Sequence, residues 1–431
     1  MKNVTTIIAT ILSLYSISFL VYGGSSGASG AANFTAYAQL DLQTIKYRDM
    51  VIDLGNGLRT NAQLTYPAVG NGPFPGVLLI HGTGANDKNE TVGFIRNDGP
   101  EPPKLFWQIA EYLSDRGFAV LRYDKRGVGA NYTLLDPNVW GNTTANDLIQ
   151  DSTKALNVLI QQPEVDPKEI SVIAHSEGTQ YAPRVAIDNP TKVKNIVLMG
   201  IIAQNVSVSD YYQEVTLPLE YASQVLDKNH TGLISIQQIA NDPMLRNVLV
   251  SSSSVLGTNN TEDITNDLVE RFGTTGNVSI QEQIRPALIN YYENITAFNL
   301  EDKCTSVALC PILYKSVFSL TPNLSIIGNV SNSTGILMLV GENDTQTPVQ
   351  QAFLLQQRLT EVNHPDHTLI TYPNLGHSFS PSSQWLTTFG PIEQYVLADI
   401  YAWLAAHSGF THIPTSMPSS NSSSSSNSTT R

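Results

Sequence analysis

The stretch ISVIAHSEG, residues 170–178, runs from a short apolar segment into Ala174, His175, Ser176, Glu177 and Gly178, and helical character follows it. An apolar run of this length without alternation is what a strand covered on both faces looks like. A serine at its end, with small neighbours two residues to either side, fits a nucleophile on a sharp strand-to-helix turn. The competing reading is a plain helix cap.

Outward from this stretch the same pattern repeats. QTIKYRDMVIDL and LRTNAQLTYP, from residue 43, read as two strands joined by a turn at Gly55 to Gly57. PGVLLIHGTG, FAVLRYDKRG and VKNIVLMG are further buried strands. Between them, KLFWQIAEYLSDRG is an amphipathic helix ending at Gly117, and TANDLIQDSTKALNVLIQQP places Leu148, Ser152, Ala155, Leu156 and Leu159 on one face. Strand and helix alternation of this kind predicts an α/β fold: a mostly parallel sheet with helices on both faces. The alternation stops after the sixth strand, and residues 204–334 read as a mainly helical lid or cap insertion. It resumes with GILMLVGEND, a helix that starts at Pro348, HTLITYPNLGH, and a last helix from about Pro391 to Ala406.

The ends are different in kind. Residues 3–22 are apolar and uncharged, and GGSSGASGAA follows, so segment 1–30 reads as an export signal, with an uncleaved anchor as the alternative. Residues 413–431 form a Ser-rich tail without the apolar content to build a core. Fifteen N-x-S/T sequons after residue 25, more than chance placement gives, point to surface glycosylation. Cys304 and Cys310, six residues apart, suit a disulfide-closed loop in an oxidising compartment. The expected location is outside the cell or on the outer face of its membrane, with attachment only through the N-terminal segment. A net charge of −13 offers no basic stripe for phosphates and argues against nucleic acid.

In open α/β sheets, ligands bind beyond the carboxyl ends of the strands. His81 with Gly82, Ser176, Asp344 and His377 all follow predicted strands there. A serine hydroxyl needs a base to take its proton, and the base needs a carboxylate to orient it. Ser176, His377 as general base and acid, and Asp344 as orienting acid meet that requirement. Glu342 is an alternative acid. His364, Asp366 and His367 precede the last strand and fall at the wrong edge, and His175 leaves the turn in another direction. Oxyanion donors are expected from the amide of Glu177 and from the loop after LLIHGTG, at Thr83.

Taken together, LLIHGTG, AVLRYDKRGVG, AHSEG, GEND followed by TP, and NLGHSF resemble the α/β-hydrolase superfamily, and within it the serine aminopeptidase-like or dienelactone hydrolase-like branch with its carboxylesterases. The landmarks cover residues 43–203 and 335–406. The resemblance implies an eight-stranded core sheet, a triad of Ser176, Asp344 and His377 in that chain order, and no cofactor or metal. It also implies a structural role for Asp124 and Arg126. Ala174 departs from the usual glycine, and the insertion aligns with nothing familiar. The expected activity is hydrolysis of a small-molecule carboxylic ester through an acyl-enzyme. A peptidase of the same fold, anchoring a substrate terminus on Glu220, Glu262, Asp263 or Glu293, is the alternative, and a catalytically dead binding protein is a second. DKNHTGLISIQQ, residues 227–238, spaces Asp227, Asn229, Thr231, Gly232 and Ser235 like an EF-hand loop but ends on Gln238 instead of glutamate, so it reads as a polar turn. The sequon at Asn343, next to Asp344, is expected to stay unused.

Overall fold

A computed structural model describes residues 44–92, 101–250, 260–297, 304 and 310–409. Segment 1–30 and tail 413–431, read above as signal or anchor and as a polar tail, lie outside the described residues. Strands β1 (Ile45–Gly55) and β2 (Leu58–Pro67) form an antiparallel pair. Asn56 and Gly57 turn the chain between them, with φ of 53° and 77°. Two successive left-handed residues give a hairpin turn whose twist matches that of its strands, which is why Asn-Gly stands there.

Strands β3 (Phe74–Ile80), β4 (Ala119–Tyr123), β5 (Val165–His175) and β6 (Val193–Met199) come next. Helices α1 (Leu105–Ser114), α2 (Ala145–Ile160) and α3 (Gly178–Asp188) connect them. Thr144 opens α2 with a reciprocal cap, its hydroxyl accepting from the Asp147 amide while the Asp147 carboxylate accepts from the Thr144 amide.

After β6 the chain leaves the sheet. Residues 206–226 form one helical run that begins as α4 (Val206–Tyr211) and passes through two π turns. Strand β7 (Leu233–Ser235), α5 (Ile236–Asn241), α6 (Pro243–Leu249), α7 (Thr261–Phe272), strand β8 (Asn277–Ser279) and α8 (Arg285–Thr296) follow. Strands β7 and β8 pair antiparallel. They are too short to show a period in sequence. Ile239, Leu245, Ile264, Leu268, Ile284 and Leu288 give this region a core of its own. Cys304 and Cys310 are disulfide-bonded at the entry to α9 (Pro311–Phe318), whose Leu313 and Val317 return to the main core.

The chain then completes the sheet with β9 (Gly335–Gly341), α10 (Gln350–Glu361), β10 (His367–Tyr372) and α11 (Gln394–His407). The order is β1-β2-β4-β3-β5-β6-β9-β10. Strand β2 meets β4 antiparallel, and every pairing from β4 across to β10 is parallel. Alternate residues of one strand supply two cores: Leu78 and Ile80 pack with α2, α3 and α10, while Val77 and Leu79 pack with α1 and α11. Both faces are covered, so no polar face interrupts the strand pattern. Each fully buried Leu or Ile contributes about 1.5–3 kcal/mol, and these two layers hold the strand ends in fixed register. Chain direction across the sheet reverses at β3, which sends β4 to one side and β5 to the other. The crevice beyond the carboxyl ends of β3 and β5 is therefore a switch point of the kind that binds ligands.

Candidate active site

Ser176 leaves β5 at that crevice with φ of 53°, and its amide donates to Met199 O on β6 at 2.8 Å. The turn is crowded. A Cβ on Gly178 would lie 2.4 Å from Ile80 O, and one on Gly82 would lie 2.9 Å from Ser176 Cβ. Helix α3 can start against β3 only because glycine stands at 178. Ala174 is fully buried in the sheet and its methyl is accommodated, so the departure from glycine leaves the turn intact.

His377 and Asp344 come from the loops after β10 and β9. Backbone bonds from Glu342 N to Tyr372 O (3.0 Å) and from Asn343 N to Leu375 O (2.9 Å) stitch these loops together. His377 Nδ1 lies 2.8 Å from Asp344 Oδ2. With Asp344 ionised, Nδ1 carries the proton and donates, which leaves the lone pair on Nε2. That Nε2 is buried and has no hydrogen-bond partner among the described residues. Burial works to raise the Asp344 pKa, but the charge and hydrogen bond of His377, with amide donation from Thr347 and Gln346, hold it below the usual carboxylate range. Gly200, at φ 63°, lets the backbone pass the imidazole, since a Cβ there would meet His377 Cε1 at 3.0 Å.

Thr83 and Glu177 line one cleft with Ser176. Their amides donate to no group among the described residues, and the loop that carries Thr83 is pinned from below. Lys125 donates to the carbonyls of Gly82 and Gly84, Asn86 to those of Gly82 and Thr83, and Gly82 N donates to Glu90 Oε1 at 2.6 Å. Glu90 Oε1 also lies 3.1 Å from His175 Nδ1, and His175 Nε2 lies 3.0 Å from His377 O. Burial alone would lower the His175 pKa, but Glu90 outweighs it and raises it. One buried chain thus links the loop of Thr83 to the loop of His377. Sequence reasoning missed Lys125 and Glu90; the only signal was a lysine and a glutamate in segments too apolar or too tightly turned to leave them in solvent.

The other candidates fall elsewhere. The Glu342 side chain is exposed and accepts from Thr371 Oγ1. His364 packs beside Ser331 O, and Asp366 and His367 lie at the start of β10, the opposite end of the sheet. His81 is buried between Phe106 and Tyr123, and burial pushes its pKa down to about 4, so it is a neutral packing residue. Asp124 accepts from Lys88 N, and Arg126 grips Asp151 and Asp147. Both hold the loop below the cleft. Asp227 spends its carboxylate on the amides of Thr231 and Gly232, and Gln238 closes a capping box with Ser235, so this segment is a helix-linking turn. The amide nitrogens of Asn205 and Asn343 donate to Phe318 O and Ser382 O, which occupies them inside the fold.

Glu220, Glu262, Asp263 and Glu293, the acidic anchors expected for a peptide terminus, are all exposed. The acidic side chain that the insertion places in the cleft is Asp210, with Glu214 one turn further along the same helix. The spacing i, i+4 without a basic partner was the available signal.

A model of the family described as the alpha/beta hydrolase fold matches residues 75–383. Esterase EstD of Thermotoga maritima is 34% identical over 161 residues, which are 37% of this chain and 34% of that protein. Esterase FrsA of Yersinia pestis (strain Pestoides F) is 24% identical over 176 residues, 39% and 37% of the two chains. The matched part is thus about a third of the length of these curated relatives. Among solved structures, the alpha/beta hydrolase GrgF of Penicillium sp. sh18 has 16% identity and a TM-score of 0.47, over 85% of this chain and 100% of that one. The family match runs from β3 through the loops that carry Ser176, Asp344 and His377, and the chain belongs to the α/β hydrolase fold family.

Proposed function

We propose that the protein is an exported serine hydrolase that cleaves carboxylic esters through an acyl-enzyme on Ser176. The observation that carries this is the pairing of His377 Nδ1 with Asp344, which leaves Nε2 buried and without a hydrogen-bond partner among the described residues, together with Ser176 on a strained turn at the end of β5. Nε2 takes the Ser176 proton as Oγ attacks the ester carbonyl. Asp344 keeps the imidazole in the required tautomer and balances the imidazolium that forms. The amides of Thr83 and Glu177 receive the developing oxyanion, a contribution of about 3 kcal/mol for each such donor. Collapse expels the alcohol, protonated from Nε2, and water repeats the sequence to release the acid.

The names of the sequence relatives favour an ester over an amide as substrate. Export is supported by the apolar segment 3–22, the surplus of sequons and the disulfide. A fluorophosphonate probe tests the centre: labelling of the wild type at pH 8 that disappears in Ser176→Ala is the expected result. An unlabelled wild type, or equal labelling of the variant, would sink the proposal. Short acyl esters are expected to turn over faster than aminoacyl anilides.

A further inference from the structure

Helix α4 and the π turn after it carry an unusual set of polar side chains, of which Ser209, Asp210 and Gln213 line the crevice. Ser209 is 1% exposed and Glu214 6% exposed, and among the described residues neither Ser209 Oγ nor Glu214 Oε2 has a hydrogen-bond partner. The Asp210 carboxylate lines the cleft with Ser176, Glu177 and Ser209, and accepts no hydrogen bond from the described residues. Gln346, on the facing loop, presents a buried Nε2 that is likewise unpaired. Gln213 of this helix donates to Gln346 O at 3.0 Å.

Charge is also unbalanced there. Glu177 is answered by Tyr181 Oη at 2.8 Å and Lys125 Nζ at 3.8 Å, and Lys125 is already bound to the loop carbonyls on the far side. Among the described residues no Lys or Arg pairs with Asp210 or Glu214, and the groups around them are Glu177, Tyr291 and Tyr292. Burial first, then Glu177, pushes Asp210 up to about 7; burial, then Asp210, pushes Glu214 up to about 8. Glu214 is buried and Asp210 partly so, and carboxylates whose ionisation is held back with no cation beside them mark a candidate ligand site. An apolar acyl chain in this cleft would leave them unsatisfied. An ammonium group brings three donors and the missing charge.

We propose that Asp210, with Ser209 beside it and Glu214 one turn behind, forms a subsite for a protonated primary amine of the substrate, within the cleft of Ser176. This rests on Ser176 as nucleophile and narrows the ester class to esters that carry an amine. The amine belongs either to the acyl group or to the alcohol. Both place the same ammonium against Asp210.

Two matched pairs separate these sources: p-nitrophenyl 3-aminopropanoate against p-nitrophenyl butanoate, and 2-aminoethyl butanoate against propyl butanoate, each at pH 7. One pair is expected to show a preference for the amine of about tenfold or more in kcat/KM, reduced at least about fivefold in Asp210→Asn and in part in Glu214→Gln. The same preference is expected without turnover: in Ser176→Ala, calorimetry should show propylammonium binding more tightly than propanol, and the added Asp210→Asn should abolish the difference. Ester turnover with no amine preference in the wild type overturns the subsite and leaves Ser176 standing. Preferential propylammonium binding that depends on Asp210, without turnover of any ester, overturns the Ser176 mechanism and leaves the subsite. A preference that survives both substitutions also refutes the subsite, and the wild-type comparison decides the matter even if a variant fails to fold.

Discussion

Ser176 occupies left-handed backbone at φ 53°, a conformation that costs a non-glycine residue on the order of 1–3 kcal/mol and is held by the surrounding sheet. Its retention is intelligible if the hydroxyl has to project into the cleft at that angle. Ser176→Gly is therefore expected to melt above Ser176→Ala, by an amount worth about 1 kcal/mol, although both lose activity. A thermal melt of the two variants side by side checks this. Asp344→Asn keeps the shape but lets the amide donate to Nδ1, which moves the imidazole proton to Nε2. A fall in kcat of roughly three to four orders of magnitude, with KM little changed, is expected in steady-state ester hydrolysis. The depressed pKa of Asp344 also bears on stability. Its contribution is present above the ordinary carboxylate pKa of about 4 and is lost as pH falls through the lower folded value.

At the scale of elements, the helical run 206–226 does two jobs at once. It roofs the cleft with Val206, Ser209 and Asp210, and it buries Val215 and Ala222 in the separate core of the insertion. Glu214 lies where these jobs conflict, a carboxyl group in an interior with no cation. Its folded pKa, raised to about 8, exceeds the unfolded value, so it costs nothing at acid pH and destabilises progressively as pH rises toward 8. Glu214→Gln is expected to leave Tm unchanged near pH 3, below the unfolded pKa, and to raise it by about 3 °C or more at pH 9. Equal Tm differences at both pH values would contradict that assignment. The loops after β9 and β10 show the opposite arrangement. There the Asp344 carboxylate accepts from the amides of Gln346 and Thr347, from Thr347 Oγ1 and from His377 Nδ1, which fixes the imidazole by its Nδ1 edge.

For the whole molecule, the described residues form two sheet-face cores and a third core in the insertion, and Ile202, Val206 and Val317 of the first line the cleft. Helices α5 to α8 of the insertion pack in an apolar cluster of their own, whereas Val206, Leu313, Val317, Ile327 and Val330 of the same insertion join the core of the sheet domain. Releasing helices α5 to α8 should cost far less than unfolding the sheet. Native-state hydrogen exchange is expected to show amides of α5 to α8 exchanging at least about tenfold faster than those of β3, β5 and β6. Uniform protection across both regions would mean that the cleft does not open by local release of the insertion.

What the sequence by itself determined was the alternation and the strand ends. Unbroken apolar strands separated by amphipathic helices admit one architecture, and residues just beyond such strands share one edge of the sheet, so Ser176, Asp344 and His377 could be picked out across 170 and 200 residues of chain. The structural role of Asp124 and Arg126 was legible through the resemblance of YDKRG to the family, not through the alternation. Lys125, Glu90 and His175 were not, because their roles depend on burial and on carbonyls contributed by distant turns. The insertion was legible only as a break in the pattern. Its helices carry acidic residues on several faces, and no local period says which face meets the sheet. That Asp210 lines the cleft and Glu214 is buried behind it, while Glu220, Glu262, Asp263 and Glu293 face solvent, follows from the packing of one core against another and not from the periodicity of either.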